Sequence, residues 1–430
     1  MSASRTDEPV LEETEFAGEI STNGQTAPLK FRVSADADCR LRIDADLVDG
    51  PTYFLAIRSR SKRGEGNEEF TLAGTSADGK TTVASDSVSV RGFYRDNGRR
   101  SLHFTSRECK VTLHLDRPVE KPVLRLWFRS FMSFSNPVVG TSLGRLMVSG
   151  DAENVGPDDL SGCVTLEAPS IYPVDDWRAK ADEFLKHMHR GLALCHGGRL
   201  QAPRLDYAHR STLEMIFFEG TGFTRELPLQ DHLNQEPFIK ALVERYERSG
   251  PLPDVLWTAL GWMQTDTSFD ETRFLSGMTA LEAIVENQLP GRRGTIIARK
   301  EFKPVREKLE QLISAEETIP PEAKPIFLRN VAGLNRKDFF QKIHALFDHY
   351  QIPKRDFEGN IVRDLIKLRN DIVHRGAAPN GFDIWPSIVL VRELITRILL
   401  KEISFVGRYC CYVGGFNYRD FPSENQSTQK

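Results

Sequence analysis

Arg369-Asn370-Asp371-Ile372-Val373-His374 places a permanent cation, a short amide and an imidazole within six residues. An imidazole takes up a proton when neutral and gives one up when charged, near neutral pH. A guanidinium grips phosphate oxygens through two parallel N–H donors. Together they suit proton transfer at a phosphate, with His374 as acid and base and Arg369 as the charge-stabilising ligand. The same spacing also fits an arginine in an internal ion pair and a histidine that finishes a helix. Spacing alone favours the ion-paired arginine and the helix-finishing histidine.

The elements that must position these groups follow from hydrophobic period. Ile361, Leu365, Leu368 and Ile372 recur at steps of four and three, one apolar helix face. Lys367, Asn370, Asp371 and His374 make a polar stripe. A third stripe holds Val362, Ile366 and Val373, with Arg369 in its middle. Gly376 is suited to ending the helix. On a straight helix Arg369 and His374 lie about 140° apart and roughly 7.5 Å along the axis. One helix therefore does not aim both at one small target, whereas two copies crossing at a shared cleft would. Asn370, four residues before His374, is placed to orient the imidazole or a phosphate. Asp371 reads as a solvated or paired carboxylate. Glu282, inside the otherwise apolar stretch Phe274–Val285, calls for an ion pair with an arginine of the same helical domain.

Arg369–His374 resembles the R-x4-6-H signature of the HEPN domains, helical bundles that often act as metal-independent RNases. The likeness runs back to Phe274–Glu286 (FLSGMTALEAIVE) and forward to the apolar segment Ile384–Lys401. A β-rich front half before the bundle is most similar to the ApeA-type HEPN proteins, linked to bacterial defence against phage. The resemblance covers the C-terminal half well and the N-terminal half in outline. It implies catalytic roles for Arg369, His374 and Asn370, and cleavage through the ribose 2′-OH to a 2′,3′-cyclic phosphate and a 5′-OH. It also implies an RNA substrate such as tRNA, a homodimer formed through the bundle, a phage-derived trigger, and no cofactor or metal. The rival expectation is a non-catalytic RNA- or nucleotide-binding and dimerisation module, with the β-rich part as ligand sensor.

The whole chain sets the frame. Its 430 residues are enough for two or three domains. Hydrophobic residues at 40% and charged ones at 27% are ordinary for a globular protein. A net charge of −3 gives no global nucleic-acid signature, so RNA contact must rest on a local patch. Gly291–Lys308 is that patch: Arg292, Arg293, Arg299, Lys300, Lys303, Arg306 and Lys308 outnumber Glu301 and Glu307. Arg292, Arg293, Arg299 and Lys300, with Lys367 and Arg375 beside the motif, are the candidate RNA-backbone contacts, and Phe302 is available for stacking. The polar, acidic start and the lack of a long apolar run argue against a signal peptide or membrane span. Six cysteines without C-x-x-C pairs read as reduced thiols of a cytoplasmic protein. His187, His189, Cys195 and His196 do not converge on one face as ligands and read as structural.

The expected fold class is α+β. Residues 1–15 read as a disordered lead-in and 16–170 as a β-sandwich or barrel, from alternations such as Leu29–Val33, Leu41–Ala45, Val111–Leu115 and Val123–Phe128. Residues 171–413 read as a helical HEPN-like domain with a small β insertion near 205–227, and 414–430 as a tail.

Overall fold

The computed structural model describes residues 10–22, 25–46, 69–96, 99–151, 155–170, 176–220, 227–264, 267–289 and 294–422. The chain divides into two units, Met1–Pro251 and Leu252–Lys430.

In the first unit the two-residue period becomes strands β1 (Leu11–Thr22), β2 (Gln25–Ala35), β3 (Leu41–Asp46), β4 (Phe70–Ser76), β5 (Thr81–Asp96) and β6 (Arg99–Ser106). Alternate residues point inward: Leu29, Phe31, Val33 and Ala35 of β2 are buried, while Lys30 and Ser34 are not. The strands run β4-β1-β2-β3-β6-β5, and β4 pairs back onto β5, closing a six-stranded antiparallel barrel. Phe16, Phe31, Ile43, Leu72, Val83 and Phe104 are among the side chains filling it. Where β1 and β4 cross, Gly18 is paired with Gly74, and a Cβ on Gly18 would lie 1.9 Å from the Ala73 carbonyl oxygen.

Strand β5 serves two sheets. Val88–Asp96 pairs with β6, and Thr81–Ala84 also pairs with β7 (Glu108–His114). From β7 an open antiparallel sheet continues through β8 (Val123–Arg129), β9 (Val138–Thr141), β10 (Gly144–Gly150), β11 (Leu160–Glu167), β12 (Arg204–His209) and β13 (Thr212–Phe218). Its order is β7-β13-β12-β8-β11-β10-β9. Helix α1 (Trp177–His196) lays Ala181, Phe184, Leu185 and Met188 into the unit's interior and packs on β8 and β11. Helix α2 (Glu236–Ser249) packs on α1, where Leu242 leaves no room for a side chain at Gly191.

These facts correct the expected boundaries. The β12–β13 hairpin is not an insertion in the helical half; it sits inside the sheet, between β7 and β8. Sequence order hid this, because its partners lie about a hundred residues earlier and strand pairing is set by contacts, not by neighbours in the chain. The division accordingly falls after Pro251, not at 170. Strand β1 starts at Leu11, inside the segment assigned to a lead-in, while residues 1–9 lie outside the described residues.

The second unit is helical: α3 (Asp254–Met263), α4 (Asp270–Gln288), α5 (Arg299–Ala315), α6 (Lys324–Val331), α7 (Phe339–Tyr350), α8 (Ile361–Arg375) and α9 (Trp385–Glu402). Helix α4 is its hub. It buries Phe274, Met278, Leu281, Ile284 and Val285 and packs against α3, α7, α8 and α9. Helix α9 is apolar around most of its circumference and is buried accordingly. Helix α7 starts in a capping box between Asp338 and Gln341. Strands β14 (Gly407–Cys411) and β15 (Asn417–Phe421) pair as a hairpin, so the expected tail from 414 carries a strand. All six cysteines are free and buried. Among the described residues no helix is long and apolar enough to cross a membrane.

Candidate functional site

Helix α8 forms where the 3–4 spacing places it, burying Leu365, Leu368 and Ile372 against the unit and ending at Gly376, whose φ is +79°. The third stripe turns gradually outward: Val362 is buried, Ile366 and Arg369 are half-buried, and Val373 is 53% exposed. Arg369 thus sits at the edge of the packed face, not inside it. Its Nη2 lies 3.3 Å from Oε2 of Glu282 on α4. Its Nη1 donates to Oδ1 of Asn370 at 3.2 Å. The ion pair expected of Glu282 is therefore made with the motif arginine itself. Asn370 steadies this guanidinium rather than the imidazole of His374.

His374 is exposed in the last turn of α8 and makes no hydrogen bond or ion pair among the described residues. Its ring is open to an incoming donor or acceptor. Asp371 is engaged by Arg375, Nη2 to Oδ1 at 3.5 Å, which occupies one of the candidate RNA contacts. Lys367 is exposed on the outer stripe of α8.

Arg292 and Arg293 lie outside the described residues. Arg299 and Lys300 open α5, a helix with no buried residue that packs on α6 and on the 3-10 turn Ala332–Asn335. Arg299 lines a concavity of about 620 Å³ with Phe302, Lys303, Arg306 and Arg336. Two of these cations are answered within the helix: Arg306 by Glu310 at 2.6 Å and Lys303 by Glu307 at 3.9 Å. Arg336 is the member that sequence missed, because it reaches this wall through an antiparallel bridge between Thr295 and Arg336. Asn335 fixes that bridge, accepting from the Ile297 N–H and donating to the Ile297 carbonyl. The α8 motif packs on α4 and α7, so the two groups of cations rest on different partners.

Comparisons of the whole chain with protein-family models, with curated proteins and with solved structures return no match.

Sequence reasoning also missed a buried network behind α8. Arg397 of α9 donates to Glu393 Oε1 at 2.7 Å, to Asp356 Oδ2 at 2.6 Å, and to the carbonyls of Pro353 and Arg355. Tyr409 donates to the same Glu393 oxygen at 2.7 Å, and Arg419 pairs with Asp356. Burial opposes the charge of Asp356, but the guanidiniums of Arg419 and Arg397 outweigh it and hold the carboxyl below its ordinary value. Burial, then the Glu393 charge, pushes the Tyr409 hydroxyl up. This network pins the loop leading into α8 to α9 and to the terminal hairpin. Its signal was legible: Glu393 and Arg397 are four apart, opposite charges on one face of a largely apolar helix.

In the first unit, His187 Nε2 meets the Leu242 carbonyl at 3.0 Å and His189 Nε2 the Leu200 carbonyl at 2.7 Å, both structural uses. Among the described residues no group of three His, Cys, Asp or Glu side chains is placed to hold a metal ion.

Proposed function

We propose that the chain is a metal-independent endoribonuclease of HEPN type that acts in anti-phage defence by abortive infection. The observation that carries the reading is the open, unpartnered imidazole of His374 on the same helix as a half-exposed guanidinium held by Glu282 and Asn370. The assignment to HEPN and to defence rests on the resemblance of the R-x4-H helix and of the β-rich front half.

In the proposed reaction one His374 takes the proton of a ribose 2′-OH, and the 2′ oxygen attacks the adjacent phosphorus. The bond to the 5′ oxygen breaks, and that oxygen receives a proton from a protonated His374. Arg369 neutralises the charge building on the phosphate oxygens, and Asn370 holds Arg369 in place. Because the two groups lie on different stripes of α8, two copies related by a two-fold axis would complete one cleft. The products are a 2′,3′-cyclic phosphate and a 5′-OH, and DNA, lacking the 2′-OH, is left intact.

Purified protein is incubated with total RNA in EDTA beside His374→Ala, and fragment ends are typed. Cleavage that persists in chelator, leaves cyclic phosphates and vanishes in the variant is the expected result. Equal cleavage by both proteins would remove His374 from the chemistry.

A second reading draws on the concavity bounded by Arg299, Lys303, Arg306 and Arg336. It is a non-catalytic module that binds RNA or a nucleotide there. Under it, RNA affinity survives His374→Ala and Arg369→Ala but falls when Arg299 and Arg336 are neutralised.

A further inference from the structure

Two arginines line the concavity of the helical unit without a carboxylate to answer either. Arg299 opens α5, and Arg336 is brought to the same concavity by the Thr295–Arg336 bridge. Both side chains are exposed, and neither makes a hydrogen bond or ion pair among the described residues. Phe302 follows Arg299 by three residues on the same face of α5. It is half-buried in the wall, and its ring meets no other aromatic ring or cation among the described residues. The walls are tied to each other by backbone. The Ile296 N–H donates to the Asn335 carbonyl at 2.9 Å and the Lys337 N–H to the Gly294 carbonyl at 3.1 Å.

An anion relieves two unanswered cations in one hollow. A guanidinium fork takes two oxygens of one phosphate, so two uncommitted forks match a diphosphate better than a single phosphate. The Phe302 ring adds a surface on which a nucleobase stacks and a bare phosphate gains nothing. The volume of about 620 Å³ falls within the range of small-molecule sites, roughly 300–1,000 Å³. Further along α5 the cations are already answered, Lys303 by Glu307 and Arg306 by Glu310. Free positive charge is therefore confined to the Arg299–Arg336 end. A polynucleotide needs free cations along its path, whereas a compact diphosphate needs only these two.

We infer that the concavity binds a nucleoside diphosphate, its phosphates held by Arg299 and Arg336 and its base stacked on Phe302. This rests on the second reading of the same concavity and narrows its ligand from RNA or a nucleotide to the nucleotide. The α8 motif takes no part in it.

ADP is titrated into the full-length protein by calorimetry, beside adenosine, inorganic pyrophosphate and a short 2′-O-methyl oligoribonucleotide that cannot be cut through its 2′ oxygens. ADP binds with a Kd below about 1 mM. Adenosine and pyrophosphate bind at least about tenfold more weakly, since each lacks one of the two contacts. Arg299→Gln and Arg336→Gln each weaken ADP by about tenfold. Lys300→Gln, the same charge change outside the lining, does not. Phe302→Leu weakens ADP and leaves pyrophosphate binding as it was, which also shows that the site is still folded. No response of the wild type to ADP, full ADP binding by both arginine variants, or pyrophosphate binding as tight as that of ADP each overturns the assignment. Binding of the oligoribonucleotide but not of ADP, lost in the arginine variants, overturns the nucleotide and leaves the second reading standing. Binding of neither overturns both.

Discussion

The Arg369 guanidinium of α8 is tied to the Glu282 carboxylate of α4, Nη2 to Oε2 at 3.3 Å, with both side chains more than a third exposed. A pair this open contributes on the order of 0–1 kcal/mol. It works as a tether that holds the guanidinium at the rim of the packed face while leaving it reachable by a phosphate. Glu282→Gln is therefore expected to fold normally and to bind RNA more tightly, because a competing carboxylate has gone. Arg369→Ala should cut RNA cleavage by about 10²–10³-fold, the usual effect of losing one charge-stabilising donor. Initial rates on one RNA substrate decide it, and wild-type turnover by Arg369→Ala would end the phosphate role.

The Glu393–Arg397–Asp356 network predicts a much larger effect from residues nowhere near solvent. Glu393 is 4% and Arg397 2% exposed. Truncating Arg397 to Met leaves the buried Glu393 carboxylate without its cation, while Asp356 keeps Arg419, a loss of about 3–5 kcal/mol. Urea denaturation followed through the second unit should show the midpoint falling with little change in slope. A shift no larger than that of a surface substitution would mean the network is dispensable.

Acid should weaken the first unit through two buried histidines, and the second also through His344 of α7, which burial likewise lowers. Burial pulls His187 down from 6.5 to about 4, and burial also lowers His189. Between pH 6.5 and 4 the unfolded chain therefore binds more protons than the folded one, so stability falls as pH drops through that window. His187 alone accounts for about 3 kcal/mol of that loss. Asp356 in the second unit is held below its ordinary 3.8, so its contribution is complete above that value and disappears only at lower pH. Stability of His187→Gln, measured at several pH values, should fall less between pH 6.5 and 4. An unchanged slope would exclude His187 as its source.

Gly18 is expected to tolerate nothing larger. A methyl there would collide with backbone at Ala73, not with a side chain able to swing away. Gly18→Ala should cost about 1–3 kcal/mol or more, read as a drop in melting temperature. An unaltered melt would show that β1 and β4 can separate without loss.

What the sequence made legible was local. Alternation located β2, β3, β7 and β8, and 3–4 spacing located α8 and α9, because each pattern reports which side of one element is buried. Glu282 and Arg369 were each conspicuous as charges among apolar neighbours, and they find each other. Non-local pairing was not legible. Nothing near Thr212–Phe218 announces that it lies beside Glu108–His114, nor that β4 closes on β5. Arg336 was invisible as a neighbour of Arg299 for the same reason, since a bridge between distant backbone segments has no sequence period. Helix α6 was missed because its apolar residues Ile326 and Phe327 are about half exposed and follow no buried face.

Strand β5 has a bearing on how this protein can be cut into pieces. Residues 10–106 contain all six barrel strands, and a fragment ending there would still close its ring. It would also bare the Thr81–Ala84 edge that β7 covers in the intact chain. An uncovered edge is a template for strand addition from another molecule. Such a fragment is expected to self-associate. Extending it through His114 only moves the open edge to β7, whose far side β13 covers in the intact chain, so a cut at either point leaves a strand edge unpaired.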